Sequence, residues 1–193
     1  MKILGISGSP VKDGSNEKAI DYALKKAKKL GFDTEKITLA KKDLTGCIAC
    51  NQCKKQKGTC SIKDVMEDIR PKMEDADAII VSSPVYFGSL SAQTKSLFDR
   101  SLPLRRDNFK LKDKIGAAIA IGRSRNGGQE LTIQTIHSWM HIHGMIVVGD
   151  NNHFGGTVAA PFEKDEFGKK TVDDTIDKVC NLLNKINNPW FFY

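Results

Sequence analysis

Four of the five cysteines of the chain, Cys47, Cys50, Cys53 and Cys60, stand within the single stretch GCIACNQCKKQKGTC, Gly46–Cys60. The spacing is C-x2-C-x2-C-x6-C. Thiolates at this density serve as ligands for zinc or for an iron–sulfur cluster, or as disulfide partners in an oxidising compartment. A disulfide framework expects a secretory context, and the opening MKILGISGSP has no long apolar stretch followed by a small-residue cleavage site. It reads as mature sequence, and the reducing cytoplasm is the expected compartment. Structural zinc sites usually present two C-x-x-C pairs on separate knuckles. Three cysteines at a repeating x2 spacing instead suit a cubane, whose corner irons are reached by one tight coil of backbone. Zinc stays open as the competing ligand.

Three further segments are rich in residues that bind anions or planar rings. The first, SGSPVKDGSNEKA (Ser7–Ala19), offers Gly8, Ser9, Gly14, Ser15 and Asn16 ahead of a helix, a setting in which backbone N–H groups and the helix dipole converge on an anion. It is neither a G-x-x-x-x-G-K-[ST] nor a G-x-G-x-x-G loop, so a phosphomonoester fits better than a triphosphate or dinucleotide. A plain helix cap on Ser15 or Asn16 is the simpler reading of the same residues. The second, SSPVYFGSLSAQTK (Ser82–Lys95), ends an apolar run in Ser-Pro and then presents Tyr86 and Phe87 before Gly88. Aromatic side chains at a strand end pack on a planar heterocycle or fill a core corner. The third, GRSRNGGQE (Gly122–Glu130), sets Gly127 and Gly128 at a helix start, either as an anion nest with Arg123 and Arg125 adding positive charge or as a plain glycine-rich turn with solvated arginines.

The segments that must position these residues alternate regularly. Short apolar runs at Lys2–Ser7, Asp33–Leu39, Ala78–Ser83, Lys114–Gly122 and Met145–Gly149 read as strands. Helical periodicity covers Asn16–Gly31, IKDVMEDIRPKMEDAD (Ile62–Asp77) disturbed near Pro71, Ser91–Leu102, Gly127–Gly144 and Thr171–Ile186. Strict alternation argues for a parallel sheet of five strands covered by helices on both faces. In such sheets ligands bind beyond the carboxyl ends of the strands, where the strand order reverses. The three loops follow strands 1, 3 and 4, and the cysteine segment follows strand 2.

The 193 residues are ample for one compact core, and 40% hydrophobic with 27% charged residues is ordinary for a globular chain. No apolar run reaches membrane-spanning length, so no membrane is expected. The net charge of +7 is spread along the chain without a nucleic-acid-binding motif, so no nucleic acid is expected either. Lys41, Lys42, Lys54, Lys55 and Lys57 surround the cysteines; they offset thiolate charge and steer an acidic redox partner, or simply form a solvated loop.

GSPVKDGSNEKA and SPVYFGSLSAQTKSLFDR resemble the flavodoxin-like FMN reductase superfamily. With CIACNQCKKQKGTC between them, the chain resembles the iron-sulfur flavoprotein family. That resemblance implies a flavodoxin-like three-layer α/β/α fold with strand order 2-1-3-4-5. It implies a single FMN-binding domain over residues 1–193, with a cysteine-rich segment inserted at 40–62. It implies an FMN phosphate held by the loop Ser7–Asn16, through Ser9, Pro10, Ser15 and Asn16, although many relatives have Asn then Thr at positions 15 and 16. Ring contacts follow from Pro84, Val85, Tyr86, Phe87 and Gly88 and from Arg123, Asn126, Gly127 and Gly128. One 4Fe–4S cluster on Cys47, Cys50, Cys53 and Cys60 and a homo-oligomer, dimer or tetramer, are implied as well.

The expected chemistry is electron transfer between a one-electron carrier such as ferredoxin, or a similar acidic redox protein, and a small-molecule electron acceptor, with no nucleophile or catalytic triad. Two rivals compete: an NAD(P)H-dependent FMN or quinone reductase whose cysteines bind zinc or nothing, and a non-enzymatic module that grips an acidic partner. His137 and His141 form an i, i+4 pair without the glutamate of H-E-x-x-H, and are expected as partly buried polar groups beside Trp139. Cys180 is expected buried and inert among Val179, Leu182 and Leu183. The aromatic tail NPWFFY, Asn188–Tyr193, is expected to dock on the core or on a neighbouring subunit.

Overall fold

The computed structural model describes residues 1–188. The tail reading, which turns on Pro189–Tyr193, lies outside the described residues. In chain order the elements are β1 (Lys2–Ser7), α1 (Ser15–Lys29), β2 (Asp33–Thr38), α2 (Gln52–Lys55), α3 (Met66–Asp75), β3 (Ala78–Pro84), α4 (Ala92–Arg100), α5 (Leu102–Arg106), β4 (Ile115–Gly122), α6 (Gln129–Ile142), β5 (Ile146–Val148), β6 (Gly156–Ala159) and α7 (Glu166–Ile186), with a 3-10 turn at Phe162–Lys164.

The sheet runs β2-β1-β3-β4-β5, with β6 also on β4, and its strand pairs are parallel. Side chains alternate between its two faces. Leu4, Ile6, Ile79, Val81, Ala118 and Ala120 pack with residues of α3, α4 and α6. Ile3, Ala78, Ile80, Ala117, Ile119 and Ile121 pack with α1 and α7. Both β3 and β4 are buried at every position, which is why they read as unbroken apolar runs. Burial of each such Ile or Leu stabilises the fold by about 1.5–3 kcal/mol. Across the outer face of α1, Tyr22 Oη donates to Asp173 Oδ2 at 2.8 Å and Lys26 pairs with Asp177 at 2.8 Å, tying α1 to α7.

Three expectations need correction. The expected order 2-1-3-4-5 is present, but among the described residues the sheet has a sixth strand added to the five expected. The fifth position is shared: β5 pairs with Ile115–Ala117 and β6 with Ile119–Gly122, and the chain leaves the sheet between them. Asp150 holds that excursion by accepting the N–H groups of Asn152 and His153. A four-residue strand, Gly-Thr-Val-Ala, is too short to show a period in sequence. The helix expected to falter at Pro71 instead runs through it, because Met66, Ile69 and Met73 bury along one face. The helix expected over Ser91–Leu102 ends at Arg100, and a second begins at Leu102 with Pro103 in its first turn.

Parallel register brings Ser7 beside Ser82 and Pro84 beside Ile121. The loops that leave β1, β3 and β4 therefore emerge on one edge of the sheet. Strand order reverses between β1 and β3, the place where doubly wound sheets bind ligands.

Candidate functional site

The loop after β1 is preorganised for an anion. The N-cap of α1 is Gly14, not Ser15 or Asn16, and no side chain caps the helix. The first-turn N–H groups are thus left to an outside acceptor. Ser9 Oγ accepts from Val11 N at 3.1 Å, Ser15 Oγ from Phe162 N at 3.2 Å, and Asn16 Oδ1 from Ser82 Oγ at 2.7 Å. Each side chain is held by its acceptor atom, so its own O–H or N–H hydrogens stay available to a phosphate. Pro10 is half-buried next to Ser9. Glu17, in the first turn, is buried; burial opposes its charge, but the N–H of Asp13 and Lys36 hold the carboxyl below its usual range. Lys36 also offsets its repulsion of an incoming anion.

A hydroxyl cluster beneath this loop escaped the sequence reading. Ser91 Oγ caps α4 by accepting Thr94 N at 3.1 Å and donates to Gly8 O at 2.6 Å, while Gly8 N donates to Ser82 O at 2.7 Å. Ser82, Ser83, Ser91 and Thr94 are fully buried. The visible signal was a concentration of hydroxyl residues flanking an apolar strand.

The two ring-side loops touch. Val85 N donates to Ile121 O at 2.9 Å, seating the second loop beside β4. Tyr86 and Ser89 then pair across a two-residue turn whose tip residues, Phe87 (φ 48°) and Gly88 (φ 78°), are both left-handed. That is the primed hairpin geometry, uncommon with a phenylalanine at its first position. Tyr86 is exposed, and Phe87 projects completely into solvent. Gly128 (φ 104°) lies so close that a Cβ there would sit 3.1 Å from Gly88 Cα and 3.2 Å from Val85 Cγ1. The expected nest is only partly open, since Gly127 N already donates to Gln129 Oε1 at 2.8 Å. Gln129 in turn donates to Ser124 O and Val158 O, bracing the loop from within. Arg123 is exposed on the rim. Arg125 is turned aside to Asp165 and over the Phe167 ring, so its charge is matched internally. Asn126 and Gly128 line a cavity of ≈ 480 Å³ with His153 and Phe167. The donors of the first loop, the exposed aromatics of the second and the glycine contact joining second to third suit a flavin mononucleotide.

The cysteine segment starts at this rim and comes to rest elsewhere. Cys47, Cys50, Cys53 and Cys60 line one cavity of ≈ 40 Å³ together with Asp99, Arg100, Leu102 and Pro103, at the far end of α4. Ala49 (φ 54°) and Asn51 (φ 60°) are left-handed, winding the backbone tightly around the cysteines. The thiols are unpaired, with Cys47 and Cys50 exposed and Cys53 and Cys60 half-buried. A hydrogen bond with Ser61 Oγ at 2.9 Å pulls the Cys50 thiol below its ordinary range. Among the described residues, no three His, Cys, Asp or Glu side chains are already drawn together as ligands of one ion. Four soft thiols around a single pocket nonetheless form a donor set suited to an iron–sulfur cluster.

Arg100 and Asp64, neither singled out from sequence, hold the segment in place. Burial opposes the Asp64 charge, but the Arg100 fork overrides it and keeps the carboxyl below its usual range. The pair meets at 2.7 Å and is almost wholly buried, Arg100 at 1% side-chain exposure. The signal in sequence was a charge close to Leu97 and Phe98 on an otherwise apolar helix side. Cys180 is buried, and burial pushes its thiol up to about 11, an inert group. His143 is buried edge-on to Trp139, and His137 is held neutral by burial.

The chain resembles solved flavodoxin-like proteins, among them the WrbA-like flavodoxin from Agrobacterium tumefaciens, at TM-score 0.63 and 21% identity over 95% of this chain and 97% of that one. The fold is thus that of the flavodoxin-like α/β proteins. Residues 1–158 match the family of NADPH-dependent FMN reductases. An iron-sulfur flavoprotein of Methanosarcina thermophila is 54% identical over 186 residues, 96% of this chain and 97% of that protein. Another from Methanocaldococcus jannaschii is 47% identical, covering 96% of this chain and 99% of its own. The chain belongs to the NADPH-dependent FMN reductase family and, within it, to the iron-sulfur flavoproteins. It is a flavin-dependent oxidoreductase that uses FMN. No helix among the described residues is long and apolar enough to cross a membrane.

Proposed function

We propose that this protein carries FMN together with one 4Fe–4S cluster and passes electrons between an acidic one-electron carrier protein, ferredoxin or a similar one, and a small-molecule acceptor. The observation that carries the reading is the gathering of Cys47, Cys50, Cys53 and Cys60 around one pocket of a chain whose sheet rim bears three flavin-type loops. When bound, FMN exchanges electrons singly or in pairs and a cubane exchanges them singly.

The residues divide the work. Ser9, Ser15 and Asn16 would hold the FMN phosphate by the free hydrogens of their side chains and the open first turn of α1, with Pro10, which has no N–H to give, shaping the loop beside Ser9. Pro84, Val85, Tyr86, Phe87 and Gly88 would line the ring on one side, and Arg123, Asn126, Gly127 and Gly128 on the other. Positive charge from Arg123 would favour the reduced, anionic ring edge. Cys47, Cys50, Cys53 and Cys60 would ligate the cluster, the left-handed Ala49 and Asn51 aiming successive thiols inward. Lys41, Lys42, Lys54, Lys55 and Lys57, all exposed, stand in or next to the cysteine segment of the chain, which supports electrostatic steering of an acidic carrier. We take residues 1–193 as one FMN-binding domain with the cysteine segment 40–62 inserted. The exposed Phe87, Leu131 and Ile142 support assembly into a homo-oligomer.

Anaerobic purification with quantitation of iron, acid-labile sulfide, zinc and FMN tests the proposal. Equal iron and sulfide alongside FMN, with flavin reduced by reduced ferredoxin, is the expected result. Zinc in place of iron, or rapid bleaching by NADPH with the cysteines empty, would move the protein to the plain NAD(P)H-dependent reductases. A colourless preparation would leave only a binding role.

A further inference from the structure

We propose that Arg100 is the positioning residue of the cysteine pocket: its fork fastens both ends of the cysteine hairpin, and its remaining Nε–H donates to the Cys60 sulfur and so raises the reduction potential of the cluster held there. This rests on the cluster reading above. One guanidinium makes four hydrogen bonds: Nη1 to Thr45 O at 2.8 Å and Asp64 Oδ2 at 2.7 Å, Nη2 to Ile62 O at 3.2 Å and Asp64 Oδ1 at 2.9 Å. Thr45 and Ile62 each lie two residues outside the cysteine run, before Cys47 and after Cys60. A single side chain therefore closes the loop that carries all four thiols.

Arginine has five N–H donors. Four are committed, and the fifth, on Nε, is buried with no hydrogen-bond partner among the described residues. A buried donor without an acceptor is costly, and such a group calls for an explanation. Arg100 lines the same cavity as the four cysteines. Its Nη2 holds Ile62 O, two residues past Cys60. The ligand sulfur of Cys60 is thus the acceptor that the fifth donor lacks. A hydrogen-bond donor beside a ligand sulfur favours the more negative, reduced state of a cluster. Lysine does not substitute: its compact ammonium cannot span two carbonyls and a carboxylate while also donating to sulfur.

The test uses the full chain, purified anaerobically with its iron. In wild-type protein grown on ¹⁵N-arginine, pulsed EPR of the reduced cluster is expected to show one ¹⁵N coupling. Arg100→Lys is expected to abolish it and to lower the midpoint potential by about a tenfold change in the reduction equilibrium, ~59 mV for one electron. Arg106→Lys, at the other arginine of this region with a buried unpartnered Nε, is expected to change neither. The wild-type coupling needs no variant, so misfolding of Arg100→Lys does not shelter the proposal. Iron-loaded wild type without an arginine coupling, or an iron-loaded Arg100→Lys with unchanged potential, overturns it. A wild-type preparation that holds no iron refutes the cluster reading itself, and is told apart by the metal analysis alone.

Discussion

Gly128 decides the geometry of the ring-side rim by what it lacks. Its φ of 104° is closed to most L side chains, and a Cβ would press against Gly88 Cα and Val85 Cγ1. Strain at such a position costs of order 1–3 kcal/mol. The protein can relieve it by parting the two loops, which would spoil the surface on which a flavin ring rests. Gly128→Ala is therefore expected to weaken FMN binding about tenfold or more, read by fluorescence titration of the apoprotein. Gly144→Ala is the control: its φ is 76° and its Cβ would lie 3.3 Å from Lys112 Cγ, at the opposite end of the sheet. Similar strain there should lower the melting temperature and leave FMN affinity alone. Equal loss of affinity in both variants would show that Gly128 acts through general stability and does not shape the ring site.

At the scale of the element, α4 links the two candidate sites. Its cap, Ser91, holds the carbonyl of Gly8 under the phosphate loop, and its last residue, Arg100, holds the cysteine segment. Nine residues of helix span roughly 14 Å, so one rigid rod sets the separation of the two ends. Ser91→Ala removes the cap and the Gly8 bond together. It is expected to cost about 1–2 kcal/mol, a fall in melting temperature of roughly 2–8 °C for a chain of this size, and to loosen FMN through the phosphate loop. Ser91→Thr should recover most of both; if Ser91→Ala melts lower yet binds FMN as wild type does, the cap is structural only. What sequence revealed of these elements follows from range. The cysteine spacing, the apolar β3 and β4 and the glycine-aromatic loops are local patterns, and each is legible within a few residues. Arg100 and Asp64 lie 36 residues apart, and Ser91 reaches a carbonyl 83 residues away. No period encodes such pairings. The resting place of the cysteine hairpin, at the far end of α4 and not on the rim where it begins, depends on them.

Taken as a whole, the molecule should be acid-sensitive, and the sign follows from its buried imidazoles. Ser101 Oγ donates to Phe98 O at 2.7 Å and accepts from Trp139 Nε1 at 2.9 Å, so His143 Nε2, also at 2.9 Å, must be the donor to it. Nδ1 of His143 is then the unprotonated nitrogen, buried with no partner among the described residues at the joint between α6 and the α4–α5 corner. A proton there would bring an uncompensated charge into the core, and burial pushes His143 down to about 4, with Arg105 adding to the effect. Burial likewise takes His137 to about 4. Above pH 7 both are neutral folded and unfolded, and cost nothing. As pH falls through 6.5 the unfolded chain takes up protons that the folded chain refuses, so stability declines until about 4, below which both states are charged. Asp64, Glu17, Glu35 and Asp165, all held below their usual range in the fold, add a further loss in the same direction at still lower pH. Between pH 7.5 and 5 each of the two histidines should cost on the order of 2 kcal/mol, visible as a lower urea midpoint at unchanged slope. His143→Gln, which offers an amide N–H to Ser101 but takes up no proton, should flatten about half of that decline. A midpoint independent of pH over this interval in the unmodified protein would mean that the joint admits water and that these imidazoles titrate as free ones do.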